Sequence, residues 1–220
     1  MSNNPGNLFK QHTLALICPL ILIVCCFSKT TSFLTANFFH CPELDWWFTH
    51  YTNLGDGIVV LILVVGYFLI KKNVLALKIL ASFLLSGLVV QVLKELFHAP
   101  RPRTFFTENF YQHFIEGVTH GGYASFPSGH TTTAFAVAAI LSFNTNKISV
   151  CMVSFWAAVL VGYSRIYLGQ HFLEDVIAGI ITGVASAILV EYLFNLYLTR
   201  TQAARKSTAN TYEQPAAIRL

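Results

Sequence analysis

Long apolar runs separated by short polar stretches dominate the chain. Six of these runs are apolar enough to form helices that cross a bilayer, and most approach the roughly 20 residues that such a helix needs. They cover approximately residues 12–27, 57–70, 74–97, 129–143, 148–163 and 172–198. The second run is short, and we expect its helix to begin a few residues before Gly57. The pattern predicts an all-α polytopic membrane protein with about six transmembrane helices in a bundle.

The two ends of the chain differ in character. Lys10 precedes the first apolar run, so a signal peptide is one interpretation. We favour an uncleaved first helix, because no small-x-small cleavage site follows and further apolar runs continue the pattern. Residues 1–199 are therefore predicted to form one membrane domain. Residues 200–220 are polar, contain Pro215 and lack an apolar period, which is typical of a disordered tail.

Composition agrees with a membrane protein. Of the 220 residues, 55% are hydrophobic and only 11% are charged, whereas soluble domains have about 25% charged residues. The net charge of +4 is small and dispersed, which excludes a nucleic-acid-binding protein. The cysteines lie in apolar runs, except for Cys41 in a loop, and no Cys-x-x-Cys pair is present. Neither a disulfide framework nor a cysteine zinc site is expected.

Basic residues predict how the helices are oriented. When the six runs alternate in direction, one side of the membrane collects Lys10, Lys71, Lys72, Lys147, Arg200, Arg205, Lys206 and Arg219. The positive-inside rule puts this side, with both termini, in the cytoplasm. The stretches 28–56 and 98–127 then lie on the extracytoplasmic side.

Three polar patches interrupt the ends of the apolar runs. They are Lys94-x6-Arg101-Pro102, then Pro127-Ser128-Gly129-His130, and then Ser164-Arg165-x5-His171-x3-Asp175. All three fall on the extracytoplasmic side of the predicted topology. Hydropathy and motif position are separate features of the sequence, so their agreement indicates that the patches form one site.

The cations of these patches suit a phosphate group. A phosphate monoester carries about two negative charges, and its transfer is catalysed mainly by positioning and fixed positive charge. Lys94, Arg101 and Arg165 can supply that charge, the arginines as planar forks for phosphate oxygens. Ser128 and Gly129, at a predicted helix start, can add a hydroxyl and backbone N–H donors.

Two histidines supply the chemistry of bond breaking. His171 is the predicted nucleophile, because the patches contain no cysteine and no serine paired with a base. Asp175, one helical turn later, would bind Nδ1 of His171 and leave Nε2 free to attack phosphorus. His130 would protonate the leaving oxygen and later activate the water that hydrolyses phosphohistidine. No metal and no cofactor are expected at this site, since the patches contain no cluster of metal ligands.

The loop 98–127 is rich in aromatic residues that recur every three to five positions: Phe105, Phe106, Phe110, Tyr111 and Phe114. This spacing allows an amphipathic interfacial helix that guides a lipid tail, or an ordinary aromatic belt. Loose spacing and few nearby acids argue against a metal site at the three histidines of this loop, His98, His113 and His120. Glu191, inside the last run, is either functional or snorkels to the interface.

Together the three patches resemble the signature of the type 2 phosphatidic acid phosphatase superfamily. That signature is Lys-x6-Arg-Pro, Pro-Ser-Gly-His and Ser-Arg-x5-His-x3-Asp, and it is matched here without a substitution over a motif core at 94–175. The resemblance implies a metal-independent phosphatase that works through phosphohistidine, with His171 as nucleophile and His130 as acid. It also implies a substrate that is a lipid phosphate or pyrophosphate, such as undecaprenyl pyrophosphate, lipid A, phosphatidylglycerophosphate or phosphatidic acid.

Several functional alternatives stay open from the sequence. The enzyme could transfer the phosphoryl group to another acceptor instead of water. A non-catalytic lipid-binding relative would be expected to lack His130 or His171, yet both are present. A soluble vanadium haloperoxidase shares the anion pocket, but the hydrophobic content argues against it. The compact chain without an Asn-x-Ser/Thr sequon favours a bacterial cytoplasmic membrane, with the site facing the periplasm or the outside. The oligomeric state is not predicted.

Overall fold

A computed structural model of the chain is built of helices. It describes residues 4–106, 110–111 and 113–212, with side chains as far as residue 203. The helices are α1 (Pro5–Cys26), α2 (Lys29–Ala36), α3 (Pro42–Tyr51), α4 (Gly57–Leu69), α5 (Asn73–Phe97), α6 (Pro102–Phe105), α7 (Gly129–Phe143), α8 (Ile148–Tyr167) and α9 (Leu173–Tyr212), with a 3-10 turn at Thr52–Gly55. Within the described ranges the chain forms no β-strand.

The membrane architecture follows from the lengths and hydropathy of these helices. In the part of the chain that is described, α1, α5, α8 and α9 are each long and apolar enough to cross a membrane alone. The helical segment Pro42–Gly55 and α4 are long and apolar enough only when taken together, and they meet at a bend of 53°, as in a broken span or a re-entrant loop. The shorter apolar helix α7 is buried along most of its length among the others. The prediction of an all-α integral membrane protein with about six membrane helices is confirmed.

Capping residues fix where several helices begin. The Asn4 side chain accepts a hydrogen bond from the Gly6 N–H at the start of α1, where Pro5 also favours a helical first turn. Ser28 and Asp56 do the same for α2 and α4, accepting from the N–H groups of Thr31 and Ile58. We expected the helix of the second apolar run to begin a few residues before Gly57, but α4 begins at Gly57 itself. The cap formed by Asp56 explains this start, since the chain before Asp56 runs in a different direction.

The backbones of α7 and α9 approach each other unusually closely. A Cβ at Gly179 would lie 2.8 Å from the carbonyl oxygen of Ser128, and one at Gly183 would clash with the carbonyl oxygen of Thr132. Small residues four positions apart allow this kind of close helix packing in membranes. The contact holds the N-terminal ends of α7 and α9 side by side.

A buried ion pair joins α5 to α9. Lys78 Nζ lies 2.7 Å from Glu191 Oε1 and 2.8 Å from Asn144 Oδ1, and the Asn144 amide donates to Glu191 Oε2 over 2.9 Å. The Lys78 side chain is only 5% exposed, so it depends on these acceptors to remain inside the bundle. Glu191 is therefore the partner of a buried cation, an arrangement that the sequence pattern did not predict.

The helix α9 extends beyond the predicted domain boundary at residue 199. It continues through Tyr212, which differs from the prediction of a disordered tail over 200–220. The polar residues that follow Leu198 include good helix formers such as Gln202 and Ala203, and no glycine or proline interrupts them before the helix ends. The rest of the predicted tail, 213–220, lies outside the described residues.

Two aromatic residues of the loop after α5, Phe106 and Tyr111, pack inward, whereas Phe105 and Phe110 are exposed. The short α6 ends at Phe105, and the described residues from there to 126 contain no further helix. The ring centroid of Phe33 in α2 lies 5.1 Å from those of Phe106 and Tyr111, and 5.5 Å from that of Phe172. This aromatic cluster fastens the loop to α2 and to the start of α9.

Replacing the buried lysine of the ion pair tests its contribution to stability. We expect Lys78→Met to lower the free energy of unfolding by about 3–5 kcal/mol, because the Glu191 carboxylate loses its cation. The double variant Lys78→Met/Glu191→Leu should regain much of that loss. Thermal unfolding in detergent measures both, with Lys147→Met in an exposed turn as the control. Equal losses in the single and double variants would contradict the pairing.

Candidate active site

The site forms where the N-terminal ends of α7 and α9 meet. The Ser128 N–H donates to the carbonyl oxygen of Asp175 over 3.0 Å, which joins the second and third sequence patches directly. His130 lies in the first turn of α7. It lies close to His171 and to all three predicted cations, Lys94, Arg101 and Arg165. The structure therefore brings all eight predicted site residues to one end of the bundle.

His171 lies in the loop between α8 and α9, not on the helix as the sequence reasoning assumed. Its side chain is buried, and its backbone N–H donates to the carbonyl oxygen of Arg165 over 3.1 Å. Its Nδ1 is 3.5 Å from Asp175 Oδ2 and 3.5 Å from the Ser125 hydroxyl. The predicted pairing with Asp175 is thus present, but it forms across the first turn of α9.

Asp175 caps the start of α9 from its third position, because its carboxylate binds back to the N–H of Phe172, the residue before the helix. Its Oδ2 accepts hydrogen bonds from the Ser125 hydroxyl over 2.6 Å and from the Phe172 N–H over 2.9 Å. Such a cap explains why α9 starts immediately after the histidine. Ser125 was not found by sequence reasoning, because a serine shortly before the Pro127 patch has no spacing signature of its own. It lies between the carboxylate and the imidazole and can orient both.

The two arginines are held by neutral partners. Arg165, buried in the last turn of α8, donates from Nη1 to the Thr52 hydroxyl over 2.8 Å. Arg101 donates from Nη1 to Gln170 Oε1 over 2.6 Å, and the Gln170 amide donates in turn to the carbonyl oxygen of Val118. Neither Thr52 nor Gln170 was singled out from the sequence. Both fix a guanidinium without neutralising its charge.

One strong donor in the site has no acceptor. The buried Nε of Arg165 makes no hydrogen bond to any described residue. Leaving such a donor unsatisfied costs about 1–3 kcal/mol or more for a charged group. An oxyanion bound beside Arg165 would remove this cost.

Ser128 contributes in a different way from the one predicted. Its hydroxyl pairs with the Thr131 hydroxyl at 2.8 Å, and its N–H is occupied by Asp175. The N–H therefore joins the two helices, while the hydroxyl contact stays within the first turn of α7. The N–H groups of the first turn of α7, beginning at Gly129, have no partners within the helix, and this is the arrangement that binds anions at helix starts.

Burial sets the protonation state of His171. It lowers the pKa of His171 to about 4, although the hydrogen bond and charge of Asp175 act in the opposite direction. The imidazole is therefore neutral at ordinary pH, with one ring nitrogen available as a nucleophile or base.

Two cavities flank these residues. One of about 210 Å³ lies between α4, α5 and α7 and is lined by Lys94 and His130. Gly55 also lines this cavity and packs directly against the backbone of His130. A side chain does not fit there, because a Cβ at Gly55 would lie 2.7 Å from the His130 carbonyl oxygen. The other, of about 490 Å³, is almost wholly apolar and lies between α1, α2, α8 and α9, with Leu173 and Val176 in its wall.

A fourth cation stands beside the site. Lys29 of α2 forms an ion pair of 2.7 Å with Glu174, and its Nζ lies 4.3 Å from the ring centroid of Phe172. Glu174 and Asp175 are adjacent in sequence but face different partners. The pair fastens α2 to the start of α9.

This arrangement can bind a tetrahedral oxyanion and exchange one of its substituents. Fixed cations and free helix N–H groups neutralise the anion. A neutral imidazole backed by a carboxylate can attack, and a second histidine can donate a proton. The three predicted patches therefore form one candidate site for phosphoryl transfer.

Comparisons with known proteins point to the same chemistry. Residues 75–198 match the sequence profile of the PAP2 superfamily. The chain is 32% identical to undecaprenyl-diphosphatase BcrC of Bacillus subtilis over 66% of its length and 76% of that protein. It is 33% identical to lipid A 4'-phosphatase of Porphyromonas gingivalis over 76% of its length and 71% of that protein.

A solved structure shares the fold as well. The transmembrane PAP2-type phosphatidylglycerolphosphate phosphatase of Bacillus subtilis superposes with a TM-score of 0.63 at 28% identity. The match covers 86% of this chain and 95% of that one.

Removing a cation should weaken binding of oxyanions. We expect Arg101→Ala to raise the Kd for orthovanadate at least about tenfold, since a charged hydrogen bond to the anion contributes about 1.5–3 kcal/mol. Calorimetric titration in detergent measures this. Arg103→Ala is the matched control, because Arg103 donates to the carbonyl oxygen of Thr119. Equal weakening in both variants would argue against the pocket.

The buried neutral His171 predicts how stability depends on pH. Its pKa is about 4 in the folded protein against 6.5 as the ordinary value. Between these values only the unfolded state binds the proton, so stability decreases as pH falls through this window. We expect His171→Gln to show a shallower loss of thermal stability between about pH 7 and about pH 4.5. If thermal stability fell equally steeply with pH in the wild type and in His171→Gln, the buried neutral state of His171 would be contradicted.

Proposed function

The chain belongs to the PAP2 superfamily of phosphatases, and we propose that it hydrolyses the phosphate or pyrophosphate of a lipid through a phosphohistidine intermediate. The observation that carries this proposal is the junction of α7 and α9, where His171 and His130 lie among three cations and beside the unpaired Nε of Arg165. The matched relatives are named for lipid phosphates or diphosphates, which supports the same substrate class here.

In the first step, His171 Nε2 attacks phosphorus and the bond to the lipid oxygen breaks. The nearby Asp175 and Ser125 favour the tautomer with the proton on Nδ1, which leaves the Nε2 lone pair free. His130 starts this step as the imidazolium, a form that the bound phosphate dianion favours, and gives its proton to the lipid oxygen as that oxygen leaves. Lys94, Arg101 and Arg165 neutralise the charge that spreads over the remaining phosphate oxygens. The products are phosphohistidine and the dephosphorylated lipid, or the lipid monophosphate when the substrate is a pyrophosphate.

In the second step, water replaces the histidine. His130, now unprotonated, takes a proton from the water that attacks phosphorus. The N–P bond breaks, inorganic phosphate forms and His171 returns to its neutral state. No metal takes part in either step, since fixed cations neutralise the anion.

The cavity beside His130 is the proposed position of the leaving lipid oxygen, because an acid must contact the oxygen that it protonates. Exposed apolar residues of α4 and α5 continue from this region, including Ile58 and Leu88, which are 68% and 64% exposed. These surfaces can contact the hydrocarbon chain of a substrate in the bilayer. Undecaprenyl pyrophosphate, lipid A, phosphatidylglycerophosphate and phosphatidic acid are the candidate substrates.

The location is the cytoplasmic membrane of a bacterium, with the site on the extracytoplasmic face. The basic residues at the opposite end of the helices support this orientation. The two relatives compared above by sequence are both bacterial, which supports the source. The membrane domain corresponds to residues 1–199, with its motif core at 94–175.

Phosphate release from a panel of the four candidate lipids tests the proposal. We expect the purified protein to act on at least one lipid, and His171→Ala to lower kcat by about 10³-fold or more, because the nucleophile is lost. An alkaline denaturing quench should trap phosphate on the wild-type protein only. His120→Ala, an exposed histidine, is the control. Turnover by His171→Ala would exclude it as nucleophile, and a phosphorylated acceptor in place of free phosphate would indicate a phosphotransferase.

A further inference from the structure

A second cluster of ionisable side chains lies outside the phosphate site. His40 precedes α3, Asp45 lies in the first turn of α3, and His113 belongs to the loop after α6. Each offers one potential ligand atom, and these atoms all lie within 4.8 Å of one another. The sequence analysis considered His113 only with the other histidines of its loop, whereas the fold brings it to residues about 70 positions earlier.

The separations in this cluster match those around a small metal ion. His113 Nε2 lies 3.1 Å from Asp45 Oδ2, and His40 Nδ1 lies 3.7 Å from Asp45 Oδ1. In a tetrahedral zinc site with bonds of 2.0–2.1 Å, neighbouring ligand atoms are about 3.3 Å apart. The rings of His40 and His113 stack with their centroids 3.7 Å apart. The donors need only small shifts to surround one ion.

An ordinary ion pair between His113 and Asp45 leaves one observation unexplained. The Nδ1 of His40 is buried and makes no hydrogen bond to any described residue. The side chain that carries it is only 10% exposed. A buried imidazole nitrogen without a hydrogen-bond partner lowers the stability of a folded protein. A ligand between Nδ1 and Asp45 would satisfy it.

Outer hydrogen bonds already orient two of the three side chains. The other ring nitrogen of His40, Nε2, lies 3.0 Å from the Tyr111 hydroxyl, and the Tyr167 hydroxyl donates to Asp45 Oδ1 over 2.7 Å. Metal-binding histidines and carboxylates are commonly fixed by such partners.

We propose that His40, Asp45 and His113 bind a zinc ion, with water as the fourth ligand. Two imidazoles and one carboxylate suit zinc, whereas calcium and magnesium prefer oxygen ligands alone. The His113 side chain is 40% exposed, which gives the ion a path of entry. The ion fastens the loop after α6 to α3. None of the eight candidate catalytic and phosphate-binding residues belongs to this site.

The loop fastened in this way reaches the active site. Thr119 in the same loop donates from its hydroxyl to the carbonyl oxygen of Leu168, shortly before His171. Val118 accepts the amide of Gln170, which holds Arg101. Zinc should therefore stabilise the loop against unfolding without taking part in bond breaking.

Metal titration of the full-length protein, without an affinity tag and stripped of metal, tests the proposal. Zinc competition against a chromophoric chelator should give one equivalent per chain with submicromolar Kd. His40→Ala and His113→Ala should each raise Kd at least about tenfold, and Tyr111→Phe, which removes an outer hydrogen bond, should raise it by about 10- to 100-fold. His120→Ala, an exposed histidine of the same loop, should bind like the wild type.

Cobalt provides a second readout on the wild-type protein. Co²⁺ bound in this geometry should show the intense visible absorption of a four-coordinate ion, displaced by one equivalent of zinc. Absence of stoichiometric binding by the wild type would overturn the proposal, and so would full binding by both histidine variants. Because no substrate is present, the result does not depend on the proposed phosphatase activity.

Discussion

The close packing of α7 against α9 is the constraint on which the site depends. Gly179 and Gly183 let the two backbones approach, and the bond from Ser128 N–H to the Asp175 carbonyl oxygen then fixes the helix starts relative to each other. His130 and His171, separated widely in sequence, receive their relative positions from this one interface. A side chain in place of either glycine would separate the helices, and with them the proposed acid and nucleophile.

The site holds several positive charges close together, and the side chains that bind the two arginines are uncharged. The Thr52 hydroxyl and the Gln170 carbonyl oxygen hold Arg165 and Arg101 through hydrogen bonds, while Oδ2 of Asp175 accepts from Ser125 and a backbone N–H and not from an arginine. The cations therefore keep their charge for an anion. The cost of this arrangement is visible in the unpaired Nε of Arg165, and the packing of the surrounding helices offsets it.

Hydropathy and motif spacing predicted the all-α membrane fold and selected eight candidate site residues that the structure brings to one end of the bundle, since both features depend on local sequence. Helix α7 begins and ends where its apolar run does. The sequence did not predict the roles of Ser125, Thr52 and Gln170, because single hydroxyl and amide residues form no periodic pattern. Thr52, moreover, binds Arg165, which lies 113 positions later in the chain. His171 was assigned to a helix because spacing alone cannot reveal that Asp175 caps the helix start. The grouping of His113 with His40 likewise required tertiary structure.

The ion pair between Lys78 and Glu191 has a consequence for biosynthesis. Its two members are 113 residues apart, so α5 leaves the ribosome long before the helix that carries its counter-ion. Until α9 is made, Lys78 has no anionic partner from that helix, and a lone cation in hydrocarbon is unfavourable. Lys78 lies close to the start of α5, and its long side chain can meanwhile reach toward the membrane surface. Completion of α9 then supplies the counter-ion, so the polar contact that joins α5 to α9 forms late in the synthesis of the bundle.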